Sequence, residues 1–313
     1  MAVRQAKIGL ALGAGSARGW AHIGVIQALE EQGLRPEVVA GTSIGALVGA
    51  SYATGNLDEL AGWVSKLTWQ QIVGYLDPSF SGGLIAGKKL FDFFRHHYQD
   101  RDIGDLTVPF GAVATDLDTG QEIWLQTGSV LEAVRASLAL PGVFTPVQRE
   151  QGWLLDGGLV NPVPVSLCRA MGAEIVIAVD LNADLLQRHR RADKPDENSQ
   201  NHPPNNEDNE GGEGYDLREF LRQQVVNLKS NLLKTGNQSN APSLIDIVLR
   251  SINIMQTRIT RSRMAGDPPE LVIAPHLSHI YLMEFHRAKE AIAEGHKAVA
   301  RADIEIQQLK QML

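Results

Sequence analysis

The chain of 313 residues has a single cysteine, Cys168. No intrachain disulfide can form, nothing points to an oxidising compartment, and a zinc site built on thiolates is excluded. Positive charge is short as well: 29 Lys and Arg stand against 36 Asp and Glu, a formal net charge of −7. A general nucleic-acid binder needs a basic surface to displace counterions, so that class, and a nucleic-acid partner, are set aside. Long apolar runs are also missing. The longest pieces, near residues 8–14, 46–50 and 175–180, fall short of the ~18 residues of a membrane span and read as buried strands or a core helix. The start does not read as a signal peptide, because the short apolar run Ile8 to Ala14 soon meets Arg18. The expected location is therefore cytoplasmic. Hydrophobic residues at 43% and charged residues at 21% exclude a mainly disordered chain, a collagen-like repeat and a coiled-coil rod.

Charge is spread unevenly. From Asp193 to Asp216 eight acids meet one base, Lys194, so this stretch holds a net charge equal to that of the whole protein. Asn, Pro and Gly fill the remainder, and Tyr215 is its only large apolar side chain. It cannot bury enough surface to offset the entropy of ordering and reads as a disordered linker, a plain solvated spacer sooner than an acidic docking tail.

Before the linker, short apolar strands alternate with glycine-rich turns and helices. Lys7–Leu12 reads as a strand, 13–19 as a loop, Trp20–Gln32 as a helix ended by Gly33, Glu37–Ala40 as a second strand, and Ile44–Thr54 as a helix ended by Gly55. Phe110–Thr115, Glu122–Leu125, Gly152–Leu155 and Glu174–Val179 are further strand candidates. That alternation predicts a mainly parallel sheet covered on both faces. After the linker the pattern turns helical. Leu244, Val248, Ile252, Met255 and Ile259 share one helical face within Ser243–Met264, with Arg250 and Arg261 pointing away. Such a basic amphipathic helix packs its apolar face on its own domain, or lies on an anionic membrane surface and makes the protein peripheral there. Leu271–Ala274 reads as an edge strand, and Glu284–Leu313 as one long final helix, a packing or homo-oligomer element.

Gly41-Thr42-Ser43-Ile44-Gly45 follows the strand at Val38-Val39 and opens an apolar helix. A sharp strand-to-helix turn of this type holds a serine hydroxyl clear of the backbone, which is the nucleophile elbow. Gly41 and Gly45 leave room for the turn, and the helix N-terminus offers N–H groups to a developing anion. An ordinary turn of small residues is the plainer alternative. The loop Gly13-Ala14-Gly15-Ser16-Ala17-Arg18-Gly19 also sits between a strand and a helix, where small residues let N–H groups approach an oxyanion or a phosphate. A dinucleotide fingerprint would place a ribose-binding acid at the end of the second strand. Ser43 stands there instead. None of the nine histidines has a recognisable catalytic setting, and His22, near the first loop, reads as a helix-surface or capping residue. Asp156, which ends an apolar strand before Gly157 and Gly158, is the alternative base, although Asp-Gly-Gly alone is more often a turn.

In combination these residues resemble the patatin-like phospholipase family, and within it the bacterial relatives of the neuropathy-target-esterase type. The resemblance covers about residues 7–180. It takes in Ala112-Val113-Ala114-Thr115-Asp116-Leu117, then Ala136-Ser137-Leu138-Ala139-Leu140-Pro141, and then Asp156-Gly157-Gly158-Leu159-Val160-Asn161-Pro162-Val163-Pro164. It implies a three-layer α/β/α fold with a mainly parallel central sheet plus C-terminal helices. The expected organisation is a catalytic domain over 1–185, an acidic linker over 186–216 and a helical extension over 217–313 packing on the catalytic domain. The resemblance implies a serine acyl-ester hydrolase without cofactor or metal, acting on a lipid or lysolipid ester through a Ser–Asp dyad and an acyl-enzyme. Ser43 matches the nucleophile, Asp156 with Gly157 and Gly158 the proton-acceptor motif, and Gly13, Ala14, Gly15, Ser16 and Arg18 the oxyanion loop, with donors near Gly15 and Ser16. The family's run of glycines is interrupted at Ala14 and Ser16, whose Cβ atoms disfavour positive φ. Asp77–Gly87 reads as a flap over the acyl chain. A patatin-like scaffold with a binding or regulatory role is the competing class.

Overall fold

A computed structural model describes residues 6–75, 83–85, 95, 100–149, 152–185, 244–311 and 313. Apart from Leu244 these belong to one compact unit, built from Met1–Asp193 and Ile245–Leu313. The expected linker at 186–216 and most of the expected flap at Asp77–Gly87 lie outside the described residues.

The strands are β1 (Ile8–Leu12), β2 (Val38–Thr42), β3 (Gly83–Ile85), β4 (Phe110–Asp116), β5 (Glu122–Leu125), β6 (Gly142–Phe144), β7 (Val147–Arg149), β8 (Gly152–Asp156), β9 (Ile175–Val179) and β10 (Leu271–Ile273). The helices are α1 (Ala21–Glu31), α2 (Ile44–Ala53), α3 (Leu57–Val64), α4 (Trp69–Tyr75), α5 (Val130–Ser137), α6 (Val165–Ala170), α7 (Leu244–Gly266), α8 (Ala288–Arg301) and α9 (Asp303–Lys310). Eight strands form one sheet in the order β10-β9-β1-β2-β4-β8-β7, with β5 also on β4. The run from β10 to β4 is parallel throughout, while β5 and β8 pair antiparallel with β4, and β7 with β8. The sheet is therefore mainly parallel, with an antiparallel corner around β4. β3 and β6 pair separately.

Side chains of a strand alternate between two faces, and the core divides accordingly. Leu10, Leu12, Val39, Phe110, Ala112, Ile177 and Val179 join α1, α2, α3, α5 and α8 in the larger cluster. Ala11, Val38, Ala40, Val113, Val176 and Ala178 face α6 in the smaller one. These two covers make the three layers. Helices α1 and α2 stop where the glycines predict, with Gly33 and Gly55 at φ 80° and 78°. Where α1 crosses α8 the backbones nearly touch: a Cβ on Gly24 would stand 2.0 Å from the Ile292 carbonyl oxygen, and one on Gly295 2.2 Å from that of Ala21.

Three expectations are corrected. The loop at 13–19 tightens into a 3-10 turn over Ser16–Trp20 before α1 begins. The final helix is not continuous, because a 3-10 turn at Phe285–Arg287 precedes α8, and Ala302 separates α8 from α9. The buried face of helix α7 also differs in part from the expected one. Ile252 is buried, but Val248 and Met255 are 37% and 47% exposed, while Gln256, Thr257 and Thr260 are buried. Arg250 and Arg261 are exposed as expected. The expected edge strand forms, as β10 parallel to β9. Among the described residues no helix is long and apolar enough to cross a membrane.

Candidate active site

Strand β2 is buried along its length and ends at Thr42. Ser43 then takes φ 57° and ψ −124°, and α2 starts at Ile44. A non-glycine residue at positive φ is a strained position that persists only when its surroundings hold it. The holding contacts are local. Ser137 Oγ, at the C-terminus of α5, accepts the Ser43 N–H at 2.8 Å and donates to the Val113 carbonyl at 2.6 Å. A Cβ on Gly45 would lie 2.2 Å from the Leu12 carbonyl oxygen, and one on Gly41 2.4 Å from that of Gly45, so α2 can pack this closely on β1 and β2 only with glycine at both places.

Strand β4 brings the second residue to the first. Strand β5 occupies one edge of β4 over Ala112–Thr115, so β2 and β8 share the other edge, running toward each other. Thr42 pairs with Val113 and Asp156 with Ala114, and the two strands meet end to end. The result is a hydrogen bond from Ser43 Oγ to Asp156 Oδ2 at 2.5 Å, across 113 residues of sequence. Asp156 Oδ1 accepts the Gly158 N–H at 2.7 Å. The Asp156 backbone is tied on both sides: its N–H donates to the Ala139 carbonyl at 2.9 Å, and its own carbonyl accepts from Thr115 Oγ1 at 2.8 Å. The carboxyl is fully buried, and burial pushes its pKa from 3.8 up to about 6, with the Ser43 and Gly158 donors pulling the other way.

The first loop closes the other side. Gly13 N–H donates to the Val179 carbonyl, Ala14 N–H to that of Pro162, and Ala17 N–H to that of Leu282. The N–H groups of Gly15 and Ser16 have no acceptor among the described residues, and both residues line the same pocket as Ser43. Ser16 does take positive φ, at 53°, despite its Cβ. Its Oγ donates to the Leu282 carbonyl at 2.5 Å and fixes the turn. Gly15 stays glycine because a Cβ there would stand 2.6 Å from Leu181. Arg18 is buried but does not line the pocket. It bonds the Gly15 carbonyl at 3.2 Å and reaches Asn253 of α7 at 3.5 Å. Burial lowers its pKa to about 10, and Asp184 and Asp180 oppose that fall.

His22 is not on a helix surface. It is wholly buried, its Nε2 lies 2.8 Å from the Gly13 carbonyl oxygen, and burial pulls its pKa down to about 4. A neutral ring must donate from Nε2 to that carbonyl, so His22 supports the loop.

Sequence reasoning quoted Ser137 without giving it a task and missed the part played by the C-terminal segments. Leu249, Ile252, Asn253 and Gln256 of α7, with Leu282, Met283 and Phe285, complete the pocket around Ser43. Asn253, Gln256, Thr257 and Thr260 recur at helical spacing, a polar stripe that could have been read as an inward face.

Residues 10–169 match the family described as patatin-like phospholipase. An uncharacterized NTE family protein of Mycobacterium tuberculosis is 34% identical over 340 aligned residues, covering 95% of this chain and 91% of that protein. Lysophospholipase NTE1 of Saccharomyces cerevisiae is 36% identical over 187 residues, which is 56% of this chain and 11% of the yeast protein. Patatin-like phospholipase domain-containing protein 6 of Homo sapiens is 35% identical over 184 residues, 56% of this chain and 13% of that protein.

Proposed function

The chain belongs to the patatin-like phospholipase family, and we propose that it is a lipid ester hydrolase that cleaves lipid or lysophospholipid acyl esters with Ser43 and Asp156. The observation that carries this reading is the buried 2.5 Å hydrogen bond from Ser43 Oγ to Asp156 Oδ2, with Ser43 lining the same pocket as Gly15 and Ser16, whose N–H groups have no acceptor among the described residues.

In this mechanism Asp156 takes the Ser43 proton as Oγ attacks the ester carbonyl carbon. The new oxyanion accepts from the N–H groups of Gly15 and Ser16, and one such donor is worth about 3 kcal/mol in comparable sites. The tetrahedral intermediate expels the alcohol, which takes the proton back from Asp156. Water, deprotonated by the same carboxylate, then attacks the acyl carbon; the acid leaves, and Ser43 Oγ takes the proton back from Asp156. Apolar pocket walls at Leu138, Leu140, Val143 and Phe144 suit an acyl chain.

A fluorophosphonate probe tests the nucleophile. It should add once to the protein, and the adduct should map to Ser43 among the 16 serines. The same preparation should hydrolyse nitrophenyl esters and lysophospholipids, and Ser43→Ala should not. An adduct elsewhere sinks the assignment. A folded, unlabelled and inactive protein favours the scaffold reading.

A further inference from the structure

Helix α7 turns a stripe of polar side chains inward beside Leu249 and Ile252, and leaves four apolar ones exposed on its outer side. The inward face, with Asn253, Gln256, Thr257 and Thr260, meets Arg18, Asn182 and the pocket. On the outer side Ile247 is 46% exposed, Val248 37%, Ile254 53% and Met255 47%. Arg250 and Arg258 are exposed among them. From Ile247 to Gly266 the helix has four arginines and no acid, in a protein whose net charge is −7. One of the four, Arg263, is taken by Glu122 at 2.6 Å.

We propose that the outer face of α7 docks on an anionic phospholipid surface. Apolar side chains interleaved with arginines, and free of acids, match the two halves of such an interface: the acyl boundary and the anionic head groups. A protein partner burying Ile247, Val248, Ile254 and Met255 would also have to desolvate Arg250 and Arg258, whereas a lipid surface leaves both in the head-group layer. The inward face of the same helix lines the pocket around Ser43. Docking therefore brings that pocket to within about one helix diameter, roughly 10 Å, of the lipid. The inference rests on the reading of the site as a lipid hydrolase for its purpose, but the surface is measured independently.

The test uses the full chain with vesicles of phosphatidylcholine alone, or of phosphatidylcholine with phosphatidylserine. The protein should co-sediment with the anionic vesicles and be released by salt. Replacing Ile254→Glu and Met255→Glu together should abolish sedimentation. Replacing Arg250→Gln and Arg258→Gln should weaken it roughly thirtyfold and remove the preference for phosphatidylserine. Because all four side chains are exposed, each double variant should keep the melting temperature of the parent and its rate on a soluble short-chain ester. Variants that sediment like the parent, or a parent that binds neither vesicle, overturn the proposal. A lipid-free dimer that the glutamate pair dissociates would instead give the face to a second copy. Should the parent prove inactive on every ester yet bind anionic vesicles through these residues, the hydrolase reading fails and the docking surface stands.

Discussion

Ser137 Oγ lies between the Ser43 N–H, which it accepts at 2.8 Å, and the Val113 carbonyl, to which it donates at 2.6 Å. Two residues further on, the Ala139 carbonyl accepts the Asp156 N–H at 2.9 Å. One short segment thus fixes the backbones of both Ser43 and Asp156. Ser137→Ala leaves the buried Ser43 N–H without its acceptor, an omission that costs about 1–3 kcal/mol. The expected outcome is a folded protein with kcat reduced roughly tenfold or more and KM little changed, because the strained turn at Ser43 relaxes. Steady-state kinetics on a soluble ester decide it. An unchanged kcat would show that the turn needs no such support.

The pH profile should follow a carboxylate. Asp156 must be ionised to take the Ser43 proton, and burial holds its pKa at about 6. Activity should therefore rise through a midpoint near 6 and stay level at higher pH. Asp156→Asn should lower kcat by about 10²–10⁴-fold. His22→Gln should keep the same midpoint, because the bond of His22 is to the Gly13 carbonyl and not to Ser43 or Asp156. A midpoint that moves with His22 would make the imidazole the base.

Asp156 and His22 should have opposite effects on stability. Folded Asp156 holds its proton up to about 6 against an ordinary 3.8, so its contribution to stability is present below the lower value and lost as pH rises through the upper. Folded His22 stays neutral down to about 4 against an ordinary 6.5, so its contribution is present above 6.5 and lost as pH falls. Relative to the parent, Asp156→Asn should gain on the order of 1–3 kcal/mol between acid and neutral pH. The stability that His22→Gln loses relative to the parent should be largest at neutral pH and shrink in acid. Urea titrations at both ends of that range measure the two differences, and flat differences would refute the assignment.

Two glycine substitutions should separate a steric requirement from mere presence. Gly45→Ala drives a Cβ to 2.2 Å from the Leu12 carbonyl oxygen, a backbone atom that cannot move aside. It should destabilise the fold by about 1–3 kcal/mol or more and abolish probe labelling of Ser43. Gly62, inside α3, has nothing within 4 Å of the added carbon. Gly62→Ala should raise stability by about 0.5–1 kcal/mol through helix propensity, with activity unchanged. Thermal melts of both variants give the comparison.

Ser16 holds positive φ against a penalty of roughly 1–2 kcal/mol for an L-residue. Ser16→Gly removes that strain but loses the bond to Leu282, so stability and activity should stay close to those of the parent. Ser16→Val has neither the hydroxyl nor the freedom, and should be at least tenfold slower while still folding. A fully active valine variant would remove the Ser16 N–H from the oxyanion role.

Much of this was legible in the sequence because it is local. Short apolar runs gave the strands. Gly33 and Gly55 marked helix ends, and Gly41 to Gly45 marked the turn that presents Ser43. Local pattern does not encode pairing direction, so the antiparallel corner where β8 meets β2 head-on was not visible. The polar part of the buried face of α7 was not legible for a related reason. Its inward polar face is dictated by Arg18 and Asn182, partners far away in the chain, and an apolar count along one helix cannot anticipate them. Ser16 shows the same limit: its φ looked unfavourable until the Leu282 carbonyl supplied a reason.

The bond between Ser16 and Leu282 also bears on when the protein becomes active during its synthesis. These residues are 266 positions apart, and at about 5–20 residues per second a ribosome needs roughly 15–50 s to go from one to the other. For most of that interval the growing chain carries Ser43 but lacks the carbonyl that fixes Ser16. The nascent polypeptide therefore passes through translation with the turn at Ser16 unsecured until the C-terminal segments are in place.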